Sequence, residues 1–199
     1  MSQLNRLILA SKSASRRAML DAAGVEYEAI PAEIDERGVE ASLEGVAAPD
    51  IAEALSVAKA SAVAQLQPDA LVLGSDSLLV VDGKRFDKTV SRENAAEHLR
   101  FFSGRTLELH SGAALIRGDT CLWSGAELAE LRVRELSEAF IEHYLEREWP
   151  AVGYTVGVFR IEAMGVQLFE SITGDQFTVL GMPLLPVLEA LRDEGVLVT

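Results

Sequence analysis

The sequence predicts an α/β fold with a mixed β-sheet and flanking helices, and three observations support this prediction. Short, nearly continuous apolar runs at residues 4–10 and 70–73 are typical of strands buried on both faces. Segments with helical start and stop signals separate such runs in the first half of the chain. The dipeptide Asp82-Gly83, set between two short runs, indicates a tight antiparallel hairpin. The length of 199 residues and a hydrophobic content of 49% favour a single domain over residues 1–199.

The elements can be assigned in chain order from local signals. After the first strand, a polar loop over residues 11–15 leads into a helix that Gly24 ends, because glycine commonly closes a helix. Pro49 opens a longer helix through about residue 65, and proline is favoured in a first helical turn. The other predicted elements are a strand at 25–30, the acidic loop AEIDE at 32–36, a hairpin at 78–86, a helix at 91–102, two or three strands within 107–133, and helices at 137–148 and 181–193.

Charge and composition narrow the classes of partner. The 18 basic and 31 acidic residues give a net charge of -13, so the average surface repels nucleic acid and favours a small-molecule partner. No apolar stretch reaches the roughly 18 residues that a membrane span needs, which predicts a cytoplasmic protein without membrane contact. The single Cys121 can form no internal disulfide, in keeping with a reducing compartment.

The segment LASKSASRR, between the first strand and the first helix, has the features of a phosphate site. A helix N-terminus presents unpaired N–H groups and a positive dipole end to an anion. Ser11 and Ser13 add hydroxyl donors, and Arg16 adds a planar fork that matches phosphate. The segment contains no glycine, so it is neither a P-loop nor a dinucleotide fingerprint. The alternative is a serine that caps the helix and an arginine on a solvated helix face.

Acidic residues elsewhere suggest metal or acid–base chemistry. Asp76, in LVLGSDS, is predicted just past the end of a buried strand, where it can bind Mg²⁺, act as a general base or cap a turn. Glu36 together with Asp76 would form a sparse Mg²⁺ site, although acidic loops are also common solvated surface. Lys88 is either a phosphate partner on the same rim or a surface lysine. The three histidines lack ligand spacing, so zinc is not expected.

Taken in order, these segments resemble the Maf family. The resemblance rests on LASKSASRRAML, AEIDE, VAKASAV, LGSDSLLVVDGKRFDK, FFSGRTLELHSGAAL and GVFRIEAMGVQLFESITGDQFTVLGMPLL, over roughly residues 4–192. It implies a Maf/ITPase-like fold with a deep cleft, and water attack on the α-phosphorus of a nucleoside triphosphate with release of pyrophosphate. It further implies Mg²⁺ or Mn²⁺ as cofactor and a homodimer. The positions that it carries over are Asp76 as base, Lys59 and Lys88 as catalytic partners, and Ser11, Ser13, Arg16 and Glu36 as polar and phosphate-binding residues.

One segment resembles a particular branch of that family. GVFRIEAMGVQLFE is similar to the branch directed at 7-methyl-GTP, and Glu162 stands at its marking acidic position. Two substrate-binding positions depart from the family pattern: Ser15 stands where this branch places an aromatic residue, and Ser77 replaces a threonine or glutamine. A preference for a guanine-type or 7-methylated purine is therefore expected, with relaxed selectivity.

Two other functions remain open from the sequence. The first is a non-enzymatic, nucleotide-binding regulator of cell division or septation, a role often attached to this family. The second is a phosphomonoesterase that releases orthophosphate. The presence of Asp76, Lys59, Lys88 and Glu36 favours the pyrophosphatase, because a sensor needs no general base.

Overall fold

The structure, a computed structural model, describes residues 6–198, which form two compact units. The first unit comprises residues 6–77, 111–127 and 176–198, and the second comprises residues 78–110 and 128–175. The assignment of residues 1–199 to a single domain stays a prediction. No helix within the described part of the chain has both the length and the apolar character needed to cross a membrane.

The strands of the described residues form one mixed sheet, as the sequence predicts. Strand β1 pairs in parallel with β2 and β3, whereas β4 pairs antiparallel with β3, and β7 pairs antiparallel with β6. The order is β2-β1-β3-β5-β6-β7, with β4 beside β3. The strands are β1 Leu7–Leu9, β2 Glu28–Ala29, β3 Leu71–Val81, β4 Lys84–Phe86, β5 Thr106–Arg117, β6 Thr120–Val133 and β7 Phe169–Thr173. Residues 4 and 5 of the predicted first strand lie outside the described residues.

The helices agree with most of the sequence predictions. Serine caps set two of the starts: the hydroxyls of Ser91 and Ser137 each accept a hydrogen bond from the backbone N–H three residues later. The acidic loop at 32–36 is a partly wrong prediction, because Asp35 caps a short helix that begins at Glu36. The helices are α1 Ala14–Ala22, α2 Glu36–Ala41, α3 Ala48–Ala64, α4 Arg92–Phe102, α5 Glu138–Glu148, α6 Gln176–Val179 and α7 Leu184–Asp193.

The predicted strand at 70–73 is too short, and this changes the position of Asp76. Parallel pairing with β1 does stop at Leu73, opposite Leu9. The strand nevertheless continues to Val81, and its last three residues, Leu79–Val81, pair with β4 through the predicted hairpin at Asp82-Gly83. Asp76 therefore lies within a continuous strand, three residues beyond the last parallel pair, and not in a loop past the strand end.

The first unit has a hydrophobic core on each face of its strands. Alternation along β3 sends Leu71 and Leu73 to one face and Val72 to the other. The first face packs against residues of α1 and α7, including Met19, Leu20, Val187 and Leu191. The second face packs against residues of α3, including Ala60, Val63 and Ala64. The same alternation continues into the polar residues that follow Leu73.

Two strand glycines allow α3 to approach the sheet closely. A Cβ on Gly74 would lie 2.2 Å from the carbonyl oxygen of Ser56 and 2.7 Å from the backbone nitrogen of Ala60. A Cβ on Gly112 would lie 2.6 Å from the backbone carbonyl of Ala52. Glycine within a strand often marks such a close backbone approach. As a result, residues on one face of α3 reach the polar residues in the middle of β3.

The second unit is built around aromatic side chains and cross-helix ion pairs. Phe86 stacks edge-on against His98 and Phe102, with ring centroids 5.0 Å and 4.9 Å apart. Burial lowers the pKa of His98 below its ordinary value, which keeps the ring neutral within this cluster. The helices α4 and α5 are joined by salt bridges from Arg92 to Glu142 and from Arg100 to Glu138.

Candidate functional site

Polar residues occupy both faces of β3 directly after its apolar half. Ser75 and Ser77 continue the face of Leu71 and Leu73, toward α1 and α7. Asp76 continues the face of Val72 and Gly74, toward α3. The strand thus presents hydroxyls on one side and a carboxylate on the other. Each side forms a separate cluster within the first unit.

The carboxylate cluster consists of Glu36, Lys59 and Asp76. The Lys59 ammonium, on α3, lies 2.5 Å from Oδ1 of Asp76 and 2.9 Å from Oε1 of Glu36, at the start of α2. The side chains of Lys59 and Asp76 are 12% and 13% exposed, whereas that of Glu36 is 51% exposed. Restricted solvent access strengthens the inner ion pair, and the exposed Glu36 end is open to ligands.

The guanidinium cluster consists of Ser11, Arg16 and Ser77, together with the carbonyl of Gly181. The Nε of Arg16 donates to the Gly181 carbonyl at 2.8 Å, Nη2 to Ser77 Oγ at 3.0 Å, and Nη1 to Ser11 Oγ at 3.3 Å. Arg16 is only 9% exposed. The solvated helix face considered for Arg16 from the sequence is therefore wrong. Each Nη group carries one further N–H, so the fork still has donors for an anion.

The carbonyl oxygen of Gly181 is the common acceptor of this cluster. It accepts from Arg16, from Ser75 Oγ at 3.2 Å and from Ser77 Oγ at 3.1 Å. Gly181 has a φ of 102°, a conformation that L side chains rarely adopt. The hydroxyl of Ser111 lies 3.0 Å from Ser77 Oγ and donates to the carbonyl of Thr178. The segment before α7 is thereby bonded to the middle of β3.

The two clusters interact electrostatically through Arg16. Burial of the guanidinium lowers the pKa of Arg16, and the negative charges of Asp76 and Glu36 oppose that shift. Arginine stays protonated at physiological pH because its ordinary pKa lies far above neutrality. Arg16 is thus a permanent positive charge held in a buried position. The two carboxylates offset part of the cost of that burial.

The remaining predicted site residues have different surroundings. Ser13 caps α1, accepting a hydrogen bond from the backbone N–H of Arg16 at 3.4 Å, so the capping alternative is confirmed for this serine. Ser15 is half-buried on α1. Lys88 and Glu162 belong to the second unit, where Lys88 is exposed and the Glu162 side chain is 53% exposed. The roles of Ser15, Lys88 and Glu162 stay predictions.

The donor chemistry of the carboxylate cluster fits a hard divalent cation. Oδ1 of Asp76 and Oε1 of Glu36 both contact the Lys59 ammonium, which brings the two carboxylates together; a cation would bind beside the ammonium and not in its place. Within residues 6–198 no three potential His, Cys, Asp or Glu ligands come together. Two protein carboxylates suit Mg²⁺ or Mn²⁺, which commonly complete their coordination with water and substrate phosphate. A site closed entirely by protein ligands would need more donors.

Two residues that hold these clusters in place, Ser56 and Ser75, are not among the candidates that the sequence indicates. Ser56 is fully buried on α3 and accepts a hydrogen bond from the backbone N–H of Asp76 at 2.9 Å. Its spacing of three residues from Lys59 places both on one helix face, which the sequence could have indicated. Ser75 was visible in LVLGSDS, but its partner Gly181 is 106 residues away, and no local pattern predicts that contact.

Comparisons with known proteins agree with the order of motifs. The Maf-like protein family pattern matches residues 6–194. A "Nucleoside triphosphate pyrophosphatase" of Rhodopseudomonas palustris is 44% identical over 192 residues, covering 96% of this chain and 95% of the relative. A "7-methyl-GTP pyrophosphatase" of Rhizobium meliloti is 44% identical over 191 residues, covering 95% of this chain and 96% of the relative. A protein of Rhizobium etli with the same description is 46% identical over 192 residues, covering 96% of each chain. Because the pattern and these relatives cover nearly the whole chain, the protein belongs to the Maf family.

Proposed function

We propose that this protein is a nucleoside triphosphate pyrophosphatase that converts an NTP and water into an NMP and pyrophosphate. The observation that carries the proposal is the carboxylate cluster, in which Lys59 joins Asp76 to Glu36 next to the buried guanidinium of Arg16. Membership of the Maf family and the names of its relatives support the same reaction class.

Asp76 is the proposed general base. Its Oδ1 is engaged by Lys59, which leaves Oδ2 as the proposed acceptor for a proton from the attacking water. The water oxygen forms a bond to the α-phosphorus while the anhydride bond to the β-phosphate oxygen breaks. The leaving pyrophosphate takes the electron pair of that bond. Lys59 would hold Asp76 in one orientation throughout and balance negative charge near the reacting phosphate.

The remaining charges suit a triphosphate. The second N–H of each Arg16 Nη group, with the hydroxyls of Ser11 and Ser13, offers donors to phosphate oxygens at the start of α1. Asp76 and Glu36 are the residues proposed to hold Mg²⁺ or Mn²⁺, which would neutralise the triphosphate and orient it. Lys88 is proposed as a further phosphate partner. A small anion fits this acidic chain better than a polymer, because the basic groups are few and local.

We also propose that Glu162 recognises the nucleobase of the substrate. A carboxylate can accept from both N1–H and the 2-amino group of guanine, whereas uracil and thymine offer one N–H between two carbonyls. Methylation at N7 adds positive charge to the base, which favours a carboxylate partner further. Ser15 supplies no stacking surface of the kind that is worth about 1–3 kcal/mol per base, so relaxed selectivity is expected. A cytoplasmic homodimer remains part of the proposal.

The deciding experiment is product analysis with a nucleotide panel. Purified protein with Mg²⁺ is given 7-methyl-GTP, GTP, dTTP and UTP, and pyrophosphate and orthophosphate are measured separately. Pyrophosphate release with a guanine-type preference is the expected result. Tight binding without turnover would instead favour a nucleotide sensor, and orthophosphate as first product would refute pyrophosphatase activity.

Glu162→Gln tests the base-reading role in the same assay. The variant keeps the size of the side chain but loses its charge, so the ratio of kcat/KM for 7-methyl-GTP over UTP should fall toward one. Glu146→Gln, at an exposed position on α5, is the matched control and should leave that ratio unchanged. An unaltered ratio in Glu162→Gln would remove this residue from base recognition, and a pyrimidine preference in the unmodified protein would refute the branch assignment.

A further inference from the structure

We propose that Ser56 is a positioning residue for Asp76, a role that rests on the proposed function of Asp76 as base. Ser56 touches neither water nor substrate in this scheme. It acts on the backbone of Asp76 and so determines where the carboxylate lies.

The hydrogen bond of the Asp76 N–H is unusual for a strand residue. In a regular ladder the backbone N–H groups of a strand are accepted by carbonyls of the neighbouring strands. At Asp76 the acceptor is instead the side-chain hydroxyl of Ser56 on helix α3, at 2.9 Å. The backbone at the proposed base therefore depends on one side chain for a contact that the sheet normally makes.

The hydroxyl of Ser56 is fixed so that it can only accept at this point. Its own proton is donated to the carbonyl of Ala52, four residues earlier on α3, at 2.7 Å. That bond directs a lone pair of Oγ toward the Asp76 N–H. Ser56 has no exposed surface, so no water can replace it without a rearrangement of the helix and strand.

Helix α3 thus holds Asp76 at two points. Ser56 binds the backbone N–H, and Lys59, three residues later on the same helix face, binds Oδ1 of the carboxylate. Gly74 makes this double contact possible, because any side chain there would collide with the carbonyl of Ser56. Two anchors on one rigid helix define both the position and the direction of the carboxylate, which is the geometry that a base needs.

The first test is kinetic and uses the full-length chain. Ser56→Ala should lower kcat by about 10- to 100-fold, the range expected for a misplaced catalytic group, with little change in KM. Ser56→Thr keeps the acceptor oxygen and should recover part of the loss. Ser61→Ala, on the same helix, is the control and should retain full kcat. Unchanged kcat in Ser56→Ala, with an active parent protein, would overturn the inference.

A second measurement separates positioning from general destabilisation. In an Asp76→Asn background, Ser56→Ala should cause no further fall in kcat, because the group that Ser56 positions no longer acts as a base. An equal loss in both backgrounds would indicate a purely structural role and would refute the proposal.

The third measurement does not depend on turnover. Amide hydrogen exchange followed by NMR should show that the Asp76 N–H is protected in the parent protein and loses at least tenfold of that protection in Ser56→Ala, while Leu73 stays protected. Equal protection of Asp76 in both proteins would overturn the inference even if the parent released no pyrophosphate. A parent without pyrophosphatase activity but with the expected exchange pattern would refute the proposed function alone.

Discussion

The two faces of β3 beyond Leu73 carry clusters of opposite design. On the α3 face, the carboxylate cluster uses charge: one ammonium is shared by two carboxylates, and its Glu36 end is half exposed. On the opposite face, the guanidinium cluster uses hydrogen bonds: Arg16 is buried and donates to a backbone carbonyl and two hydroxyls. The carboxylate cluster leaves oxygen atoms open to ligands. In the guanidinium cluster, several of the Arg16 N–H groups already bond to protein acceptors.

This difference predicts that the carboxylate cluster contributes mainly to activity, whereas Arg16 contributes to both activity and stability. Substitution in the carboxylate cluster should mainly affect activity. The side chains of Glu36 and Asp76 share the Lys59 ammonium and have few other partners among the described residues. Substitution of Arg16 should affect stability as well, because the segment around Gly181 is attached through it. The following experiments test that division, from the largest expected effect to the smallest.

The largest effect is expected for Asp76→Asn. The amide has the size of the carboxylate but cannot accept a proton, so kcat should fall by about 10²- to 10⁴-fold, the usual contribution of a general base. The thermal midpoint should also fall, because the neutral amide leaves the largely buried Lys59 ammonium without its nearest carboxylate, but the backbone bond to Ser56 remains. Steady-state kinetics and thermal unfolding measure both. Asp69→Asn, at an exposed position before the same strand, is the control. A large loss of stability with near-normal kcat would show that the carboxylate cluster is structural and would contradict its proposed role in activity.

An intermediate effect is expected for Arg16→Ala. Removal of the guanidinium leaves buried acceptors without their donor, which should lower the free energy of unfolding by about 1–3 kcal/mol. Arg16→Lys should recover only part of this, since an ammonium cannot reproduce the planar fork. Urea unfolding measures the change. The neighbouring Arg17 is exposed, and Arg17→Ala should change the free energy of unfolding by less than about 0.5 kcal/mol. Equal stability of the Arg16 and Arg17 variants would show that Arg16 has no structural role.

The smallest effect is expected for Glu36→Gln. Loss of one carboxylate ligand should raise the Mg²⁺ concentration for half-maximal activity by roughly tenfold, equivalent to about 1.4 kcal/mol. A titration of activity against Mg²⁺ measures it, with saturating nucleotide. Glu33→Gln, in the same acidic segment and exposed, should leave the titration unchanged. Identical curves for both variants would exclude Glu36 as a metal ligand.

Much of the fold follows from local signals in the chain. The apolar runs, Pro49, Gly24 and Asp82-Gly83 predicted helices and strands correctly, because each of these signals acts through neighbouring residues. Local signals did not predict the secondary structure at Asp76 and Glu36 correctly. The strand continues through Asp76 between a parallel partner that ends opposite Leu73 and a hairpin partner that begins at Leu79, with β5 as its other neighbour in the sheet. A helix six residues long is too short to leave a clear periodic pattern at Glu36.

The sequence by itself determined which residue types were candidates for the site: Arg16 at a helix start, Asp76 after an apolar run, and Lys59 through family resemblance. Only the tertiary structure decided what those residues contact. The bonds from Arg16 and Ser75 to Gly181 span 165 and 106 residues, and the bond from Ser56 to Asp76 requires a helix packed directly on Gly74. Such contacts depend on how the chain folds back on itself, so no local spacing encodes them. The physical reason is that helical and strand periodicity specify a face, whereas the partner on that face is specified by packing.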